Sequence, residues 1–280
     1  MKDLFLLQLM KIMPTHALSR VIGKFAHHPL SKGLIPIFSR IFQISVEEAE
    51  KLAGEYRTLN EFFTRKLREE LRPIASSPKA VVSPADGRIA AFGEIKEGQL
   101  IQAKGVTYTV WNLLGIPESE AASYEGGRFI TIYLSPRDYH RVHSPVKGEI
   151  TDYSYLPGTL FPVNAFGVRA VKGLFAMNER LITFIRSNAG RVGVVKVGAT
   201  VVGSVKVGYS KEAGTNIKSG TLVQTHLPAA IPVERGGELG FFEFGSTVVL
   251  VFEKGKVEFE THIHEGMQVQ MGQQIGKLTE

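Results

Sequence analysis

The sequence predicts an α+β fold, with N-terminal helices followed by a mostly antiparallel β sandwich or barrel built from barrel-sandwich-like halves. Three observations carry that expectation. Residues 1 to about 72 read as helical, and beyond them the chain breaks into short β-rich runs separated by glycines. Two turns echo each other, "SPADGRIA" at 83–90 and "SPVKGEIT" at 144–151, both S-P-x-x-G-x-I. Near the end, "GMQVQMGQQIGKL" has the spacing of a hairpin in biotinyl- or lipoyl-like barrel sandwiches.

The chain opens on an apolar segment, Leu4 to Met13, that Lys11 and Pro14 cut short of the roughly 20 residues needed to span a bilayer. No convincing signal-peptide cleavage site follows it. Through Ser45 the basic residues Lys2, Lys11, Arg20, Lys24, Lys32 and Arg40 face Asp3 alone among the acids. Short apolar helices with a basic bias suit the interface of an anionic membrane, and packing on the protein's own core is the other reading. Residues 1–45 are therefore expected to be interfacial helices and 46–75 a helical segment packed on the core. Ser45 with Glu48, and Thr58 with Glu61, have capping-box spacing, and Pro73 stops the second helix.

The seam at "RPIASSPKA" is the best boundary, leaving 76–280 as the β-rich catalytic domain. Its clearest strands are "RFITIYL", "ERLITFIRS", "RVGVVKVGATVVGSV" and "TVVLVFE", and a helix is expected around "VWNLLG" at 110–115. The totals agree with a globular chain: 280 residues, 44 % apolar and 21 % charged. The net charge of +6 points to an anionic partner. Nucleic acid is disfavoured, because the basic residues are interleaved with aliphatics and no binding module is recognised. There is no cysteine, which excludes disulfides, thiolate metal sites and a thiol nucleophile.

The stretch "GGELGFFEFGSTVVLVFE" at 236–253 reads as one long buried strand, interrupted by Gly245, Ser246 and Thr247. A β-bulge with both hydroxyls bonded to backbone explains that pattern. So does a serine placed to attack the carbonyl of the residue before it, since glycine tolerates the strained backbone required. In "YLSPRDYHRVHSPVKGEI", His140 and His143 stand three apart beside Arg137 and Arg141. The arginines disfavour a cation there, so no metal is expected, and the imidazoles are candidates for general acid and base. Asp86 sits in the first of the echoed turns, as a plain turn residue or as the carboxylate that orients a histidine. Related halves would let the Asp86 and His143 turns converge.

Taken together, "TLNEFFTRKLREELRPI", "SPADGRI", "YLSPRDYHRVHSPVKGEI", "PGTLFPVN" and "ELGFFEFGSTVV" resemble the bacterial, membrane-associated phosphatidylserine decarboxylases, in the family's order from residue 58 almost to the end. The self-cleaving motif is commonly Leu-Gly-Ser-Thr, and here Phe244 takes the leucine position. The resemblance implies a proenzyme that cuts itself between Gly245 and Ser246 into a β chain (1–245) and an α chain (246–280), which stay together as a heterodimer. It implies that His143 acts as base on Ser246, with Asp86 fixing its tautomer, and that Ser246 becomes a covalent pyruvoyl group. That cofactor would form a Schiff base with phosphatidylserine and release CO₂ and phosphatidylethanolamine, with His140 as the candidate proton donor and His143 as its alternative.

Lipid as substrate further implies a peripheral enzyme on the cytoplasmic face of the cell membrane, with a homo-oligomer of the heterodimer possible. Arg137 or Arg141 is expected to meet the phosphate. Leu160 and Phe161, exposed on a Gly-Pro loop, are expected to line the substrate entrance. A membrane-tethered scaffold without activity, and a pyruvoyl enzyme for a soluble amino acid, are the competing readings.

Overall fold

In the computed structural model, residues 15–103, 106–200, 204–210, 212–215, 221–243 and 245–279 are described. The Leu4–Met13 run and Phe244 lie outside the described residues. Three helices come first: α1 (Thr15–His27), α2 (Ile35–Phe42) and α3 (Leu59–Phe63). Thr58 caps α3 as its spacing predicts, its hydroxyl accepting from Glu61 N at 3.1 Å. The helix expected after Ser45 does not form. Only single 3₁₀ turns occur at Val46–Glu48 and Ala53–Glu55, and Ser45 makes no side-chain cap. Ala26, Ile35, Tyr56, Leu59, Phe62 and Phe63 bury together and weld these pieces into one layer.

The sheet region follows, with β1 (Ala80–Val82), β2 (Gly87–Glu94), β3 (Gln99–Ala103), β4 (Val106–Thr109), β5 (Arg128–Leu134), β6 (Arg141–His143) and β7 (Gly148–Leu156). Then come β8 (Arg180–Ser187), β9 (Gly190–Val197), β10 (Val205–Val207), β11 (Val223–Val233), β12 (Glu238–Phe242), β13 (Ser246–Phe252), β14 (Val257–Phe259), β15 (Gln268–Val269) and β16 (Gln274–Leu278). Eight strands form one sheet in the order β11-β7-β8-β9-β13-β5-β2-β15, and β10-β12-β6 and β1-β16-β14 form smaller ones. Every described pairing of strands is antiparallel. The expected helix is present as α4 (Val110–Leu114), closed by Gly115 in the left-handed region at φ 64°. Three short helices that the sequence reading passed over lie at Glu118–Ala121, Ala165–Ala170 and Leu174–Met177.

The apparent long strand at 236–253 is two strands in two sheets. β12 pairs with β6 and β10, whereas β13 lies between β5 and β9, so Glu243–Gly245 is the crossing between layers. β13 is buried throughout and alternates its side chains between two cores. Val248, Leu250 and Phe252 enter one, and Val249 and Val251 the other.

The echoed turns do meet. Val82 N donates to Pro145 O at 3.0 Å, and His143 N to Pro84 O at 2.8 Å. In each turn the serine hydroxyl bonds two residues on, Ser83 to Ala85 O and Ser144 to Val146 O. Each turn also exchanges two backbone bonds with a dipeptide that begins with glycine, Ser83 with Gly272 and Gln273, and Ser144 with Gly236 and Gly237. Gly272 and Gly236 share a left-handed φ, 85° and 80°. The repeat is therefore a local two-fold in hydrogen bonding as well as in sequence.

A side chain at Gly272 would meet the Pro73 carbonyl at 2.7 Å as well as adopting an unfavourable φ, whereas Gly255, at φ 67°, faces open space. Gly272→Ala is therefore expected to cost about 2–3 kcal/mol and Gly255→Ala about 1 kcal/mol. Thermal unfolding should show the first lowering Tm at least twice as far as the second.

Candidate active site

Ser246 opens β13 at the centre of the large sheet, opposite Leu134 on β5. It is fully buried, and its Oγ has no hydrogen-bond partner among the described residues. Thr247 Oγ1 is in the same condition. These are not hydroxyls bonded to backbone in a bulge, and a buried unpaired hydroxyl is costly. Alternation puts Ser246 on the face of Val248, toward the core shared with β6 and β12. Gly245 lines a cavity of about 450 Å³ whose walls include Phe25, Phe38, Phe42, Phe63, Tyr133 and Val163. One peptide bond thus separates an apolar cavity from a buried free hydroxyl.

Register places the two histidines at different distances along β6. Phe242 N donates to His140 O at 2.9 Å, whereas His143 lies opposite Glu238 at the far end of β12. His140 is therefore the imidazole on the Ser246 side. Its Nδ1 is 2.8 Å from Asp138 O, and because a carbonyl only accepts, Nδ1 carries the hydrogen. Nε2 is left as a buried lone pair without a described partner. Phe63 packs on the ring with centroids 4.1 Å apart, and burial, helped by the charge of Arg65, pushes the imidazole down to about 3.

His143 shows the same tautomer. Its Nδ1 donates to Gly236 O at 2.8 Å, and its Nε2 accepts from the Tyr139 hydroxyl at 3.2 Å. Burial lowers its proton affinity, while the Gly236 bond and the charges of Glu238 and Asp86 oppose that fall. The expected Asp86–His143 hydrogen bond is not formed. Asp86 instead accepts from Arg72 Nε at 2.9 Å and Nη2 at 2.6 Å, and from Met271 N at 2.8 Å. Arg72 is itself held by Glu48 at 2.8 Å, so the helical layer holds the carboxylate. The glycine carbonyl, rather than the carboxylate, sets the His143 tautomer. No described hydrogen bond joins His143 to Ser246.

The residues expected at the substrate need correction. Leu160 and Phe161 are buried rather than exposed, because Asn178 grips Phe161 by both N and O and draws the loop into the second core. The loop meets the cavity through Pro162, Val163 and Asn164. Arg141 is committed to Glu238 at 2.7 and 2.9 Å and to Thr64 O. Arg137 is half-exposed, 3.8 Å from its neighbour Asp138.

Arg72, Tyr139, Gly236 and Phe63 escaped the sequence reading as site residues although each lies within a quoted stretch, because the partners they meet here are distant in sequence or, for Tyr139, one of several polar neighbours of His143. Lys196 had a visible signal as the one charge in "GVVKVG". It lies opposite Val248 and is fully buried, with Nζ bonded to Thr183 Oγ1 at 2.5 Å, and burial pulls it down to about 7.

Helices α1 and α2 wall the cavity and turn apolar side chains to solvent. Val21 and Ile41 are 66 % exposed, Ile37 57 % and Phe25 48 %. Among the described residues no helix is long and apolar enough to cross a membrane.

Comparison with known proteins agrees with this geometry. The family model described as phosphatidylserine decarboxylase matches residues 59–277. A phosphatidylserine decarboxylase proenzyme of Brevibacillus brevis is 49 % identical over 264 residues, 94 % of either chain. Those of Myxococcus xanthus and Shewanella frigidimarina are 43 % and 38 % identical over essentially the full length of both. With the match spanning helices, both turns and the Gly-Ser-Thr crossing, the chain belongs to the phosphatidylserine decarboxylase family.

Proposed function

We propose that this chain decarboxylates phosphatidylserine at a membrane surface, with a pyruvoyl group it makes from Ser246 by cutting itself after Gly245. The observation that carries the reading is the Ser246 hydroxyl, buried and unpartnered directly after Gly245. Nothing in the described fold satisfies it, so its energetic cost is explained by chemistry.

In maturation, Ser246 Oγ attacks the Gly245 carbonyl carbon, the Gly245–Ser246 C–N bond breaks, and an ester joins the two residues. A base then removes the Ser246 Cα proton, and the Cβ–Oγ bond breaks. Gly245 leaves as a carboxylate, residue 246 remains as dehydroalanine, and tautomerisation followed by hydrolysis releases ammonia. His143 is the proposed base. To reach Ser246 its Nε2 must exchange the Tyr139 hydroxyl for that of the serine, and Asp86 supports the imidazolium through its charge. The site fits the product group: a strand buried on both faces holds position 246 rigidly and keeps water away.

When present, the pyruvoyl group supplies a ketone that condenses with the lipid's amine and draws in the electron pair freed with CO₂. The chain's own residues do the rest. His140 Nε2, unpartnered at rest, is the proposed group that hands a proton to the carbon that loses CO₂. The cavity beside Gly245 takes the apolar part of the lipid between α1, α2 and the 162–164 loop. The exposed apolar face of those helices, with Arg20, Lys24, Lys32 and Arg40, seats the enzyme on an anionic bilayer.

Purified protein is expected to run as two polypeptides split after Gly245, the smaller blocked to Edman chemistry, and Ser246→Ala as one. Intact wild type that still releases CO₂ from phosphatidylserine vesicles would reject the reading. Asp86→Asn and His143→Ala should stay whole, whereas His140→Ala should be cut yet lose about 10²-fold or more of CO₂ release. Cleavage lost in His140→Ala and kept in His143→Ala would exchange the two roles.

The buried His140 also makes stability depend on pH. Its folded-state affinity lies below the ordinary value, so the unfolded chain binds the extra proton between roughly pH 6.5 and 3. Stability is then complete above about 6.5 and falls by about 1.4 kcal/mol per unit through that window. Urea titrations of Ser246→Ala from pH 7 to 4.5 should show that loss, and His140→Phe in the same background should make it shallower, the remainder including the like contribution of the buried His143.

A further inference from the structure

Glu243 interrupts an apolar run, Phe-Phe-Glu-Phe, two residues before Gly245. Its side chain is only 11 % exposed, and three separate parts of the chain converge on it. The Ser204 hydroxyl donates to Oε2. Asn60 Nδ2, on α3, donates to Oε1 at 3.3 Å. His27 Nε2, at the last residue of α1, lies 3.2 Å from the same oxygen. The backbone joins in, with Glu243 N donating to Ser204 O at 2.9 Å.

The position matters more than the number of bonds. β12 and β13 are fixed in their own ladders, and Glu243, just past the end of β12, begins the link between them, so where it is held bears on how the Gly245 carbonyl is offered to Ser246 Oγ. An acyl shift is sensitive to that angle and distance, and a misplacement of 1 Å can cost about a hundredfold in rate. Glu243 fastens this link to α1 and α3. The other side of α1 carries the exposed Leu18, Val21 and Phe25. His27 is half-exposed, so its contact with Glu243 holds only while α1 is seated on the core.

Resting on the self-cleavage reading above, we propose that Glu243 is a positioning residue for maturation, which makes cutting after Gly245 conditional on docking of α1 through His27. The carboxylate touches neither reacting atom; it acts by holding the chain that does.

The test is cell-free synthesis of the full chain, stopped at intervals and resolved by intact mass into whole and cut forms. Glu243→Ala is expected to slow cleavage about tenfold or more, and Glu243→Gln, which keeps an acceptor for Ser204, by about threefold. His27→Ala should slow it three- to tenfold, and the Glu243→Ala/His27→Ala double variant should be no slower than Glu243→Ala alone, since both act through one contact. Each change is also made in the Ser246→Ala chain, where thermal unfolding reports stability without cleavage. Rate losses that merely follow Tm losses, or that multiply in the double variant, overturn the proposal. So does Glu243→Ala cleaving within twofold of wild type. Should that variant fail to fold, Glu243→Gln and His27→Ala decide. A wild-type chain that is never cut defeats the self-cleavage reading instead.

Discussion

The structure depends on the pair of reciprocal backbone bonds that lock the two S-P-x-x-G turns together, Val82 to Pro145 and His143 to Pro84. Each turn on its own is a short loop with a serine bonded to itself. Joined, and each clasped by a dipeptide whose first residue is a glycine in the left-handed conformation, they fix the start of β2 against the end of β6. Side chains far apart in sequence, Asp86 and His143, are thereby anchored on neighbouring backbone. The same clasp delivers Gly236 O to His143 Nδ1, so one arrangement both closes the fold and sets the tautomer of that imidazole.

Polar groups without partners are where this fold departs from ordinary economy. Ser246 Oγ, Thr247 Oγ1 and His140 Nε2 are all buried and unsatisfied among the described residues. Each such group costs about 1–3 kcal/mol, a sizeable share of the stability of a domain. By contrast, Asp86, equally buried, is saturated by Arg72 and Met271. Other unpaired groups lie elsewhere, on Gln102, Tyr108 and Thr131 among them, but those of Ser246, Thr247 and His140 gather near the passage from β12 to β13. A Tyr139 hydroxyl already on His143 and an unpartnered Nε2 on His140 leave the acid–base connections of this site incomplete.

Much of this was legible in sequence because it is local or periodic. The "TVVLVFE" strand, the Thr58 cap, the helix around 110–115 and the repeat of S-P-x-x-G each follow from a few adjacent residues, and each is present. The failures share a physical cause. Ser45–Gly54 has capping chemistry but too little apolar periodicity to hold a helix, and tertiary packing left it as turns. Leu160 and Phe161 follow Gly158 in a loop, yet the buried Asn178 amide pulls them inward across 17 residues of sequence. Arg72 on Asp86, and Gly236 under His143, are long-range choices among equally available partners. No window of sequence ranks them. In "GGELGFFEFGSTVVLVFE" both strands were legible, but the change of sheet between them was not, because both layers demand the same residues. Of "RVGVVKVGATVVGSV", the part through Val197 is β9, and residues 201–203 lie outside the described residues.

On the proposed reading, the two faces of β13 let cutting and turnover share one residue. Gly245 opens on the apolar cavity beneath α1 and α2, while alternation turns the Ser246 side chain into the sandwich toward β6 and its histidines. In the uncut chain Ser246 is fully buried and does not line that cavity. Breaking the Gly245–Ser246 bond, as proposed, would open position 246 toward it. The helical layer therefore has two jobs that cannot be separated. It walls the apolar cavity through Phe25, Phe38 and Phe42, and through Phe63 it packs on His140 and keeps its lone pair dry. A sheet alone would hold the serine, but it would leave that imidazole open to water and, on the proposed reading, the lipid without a route in.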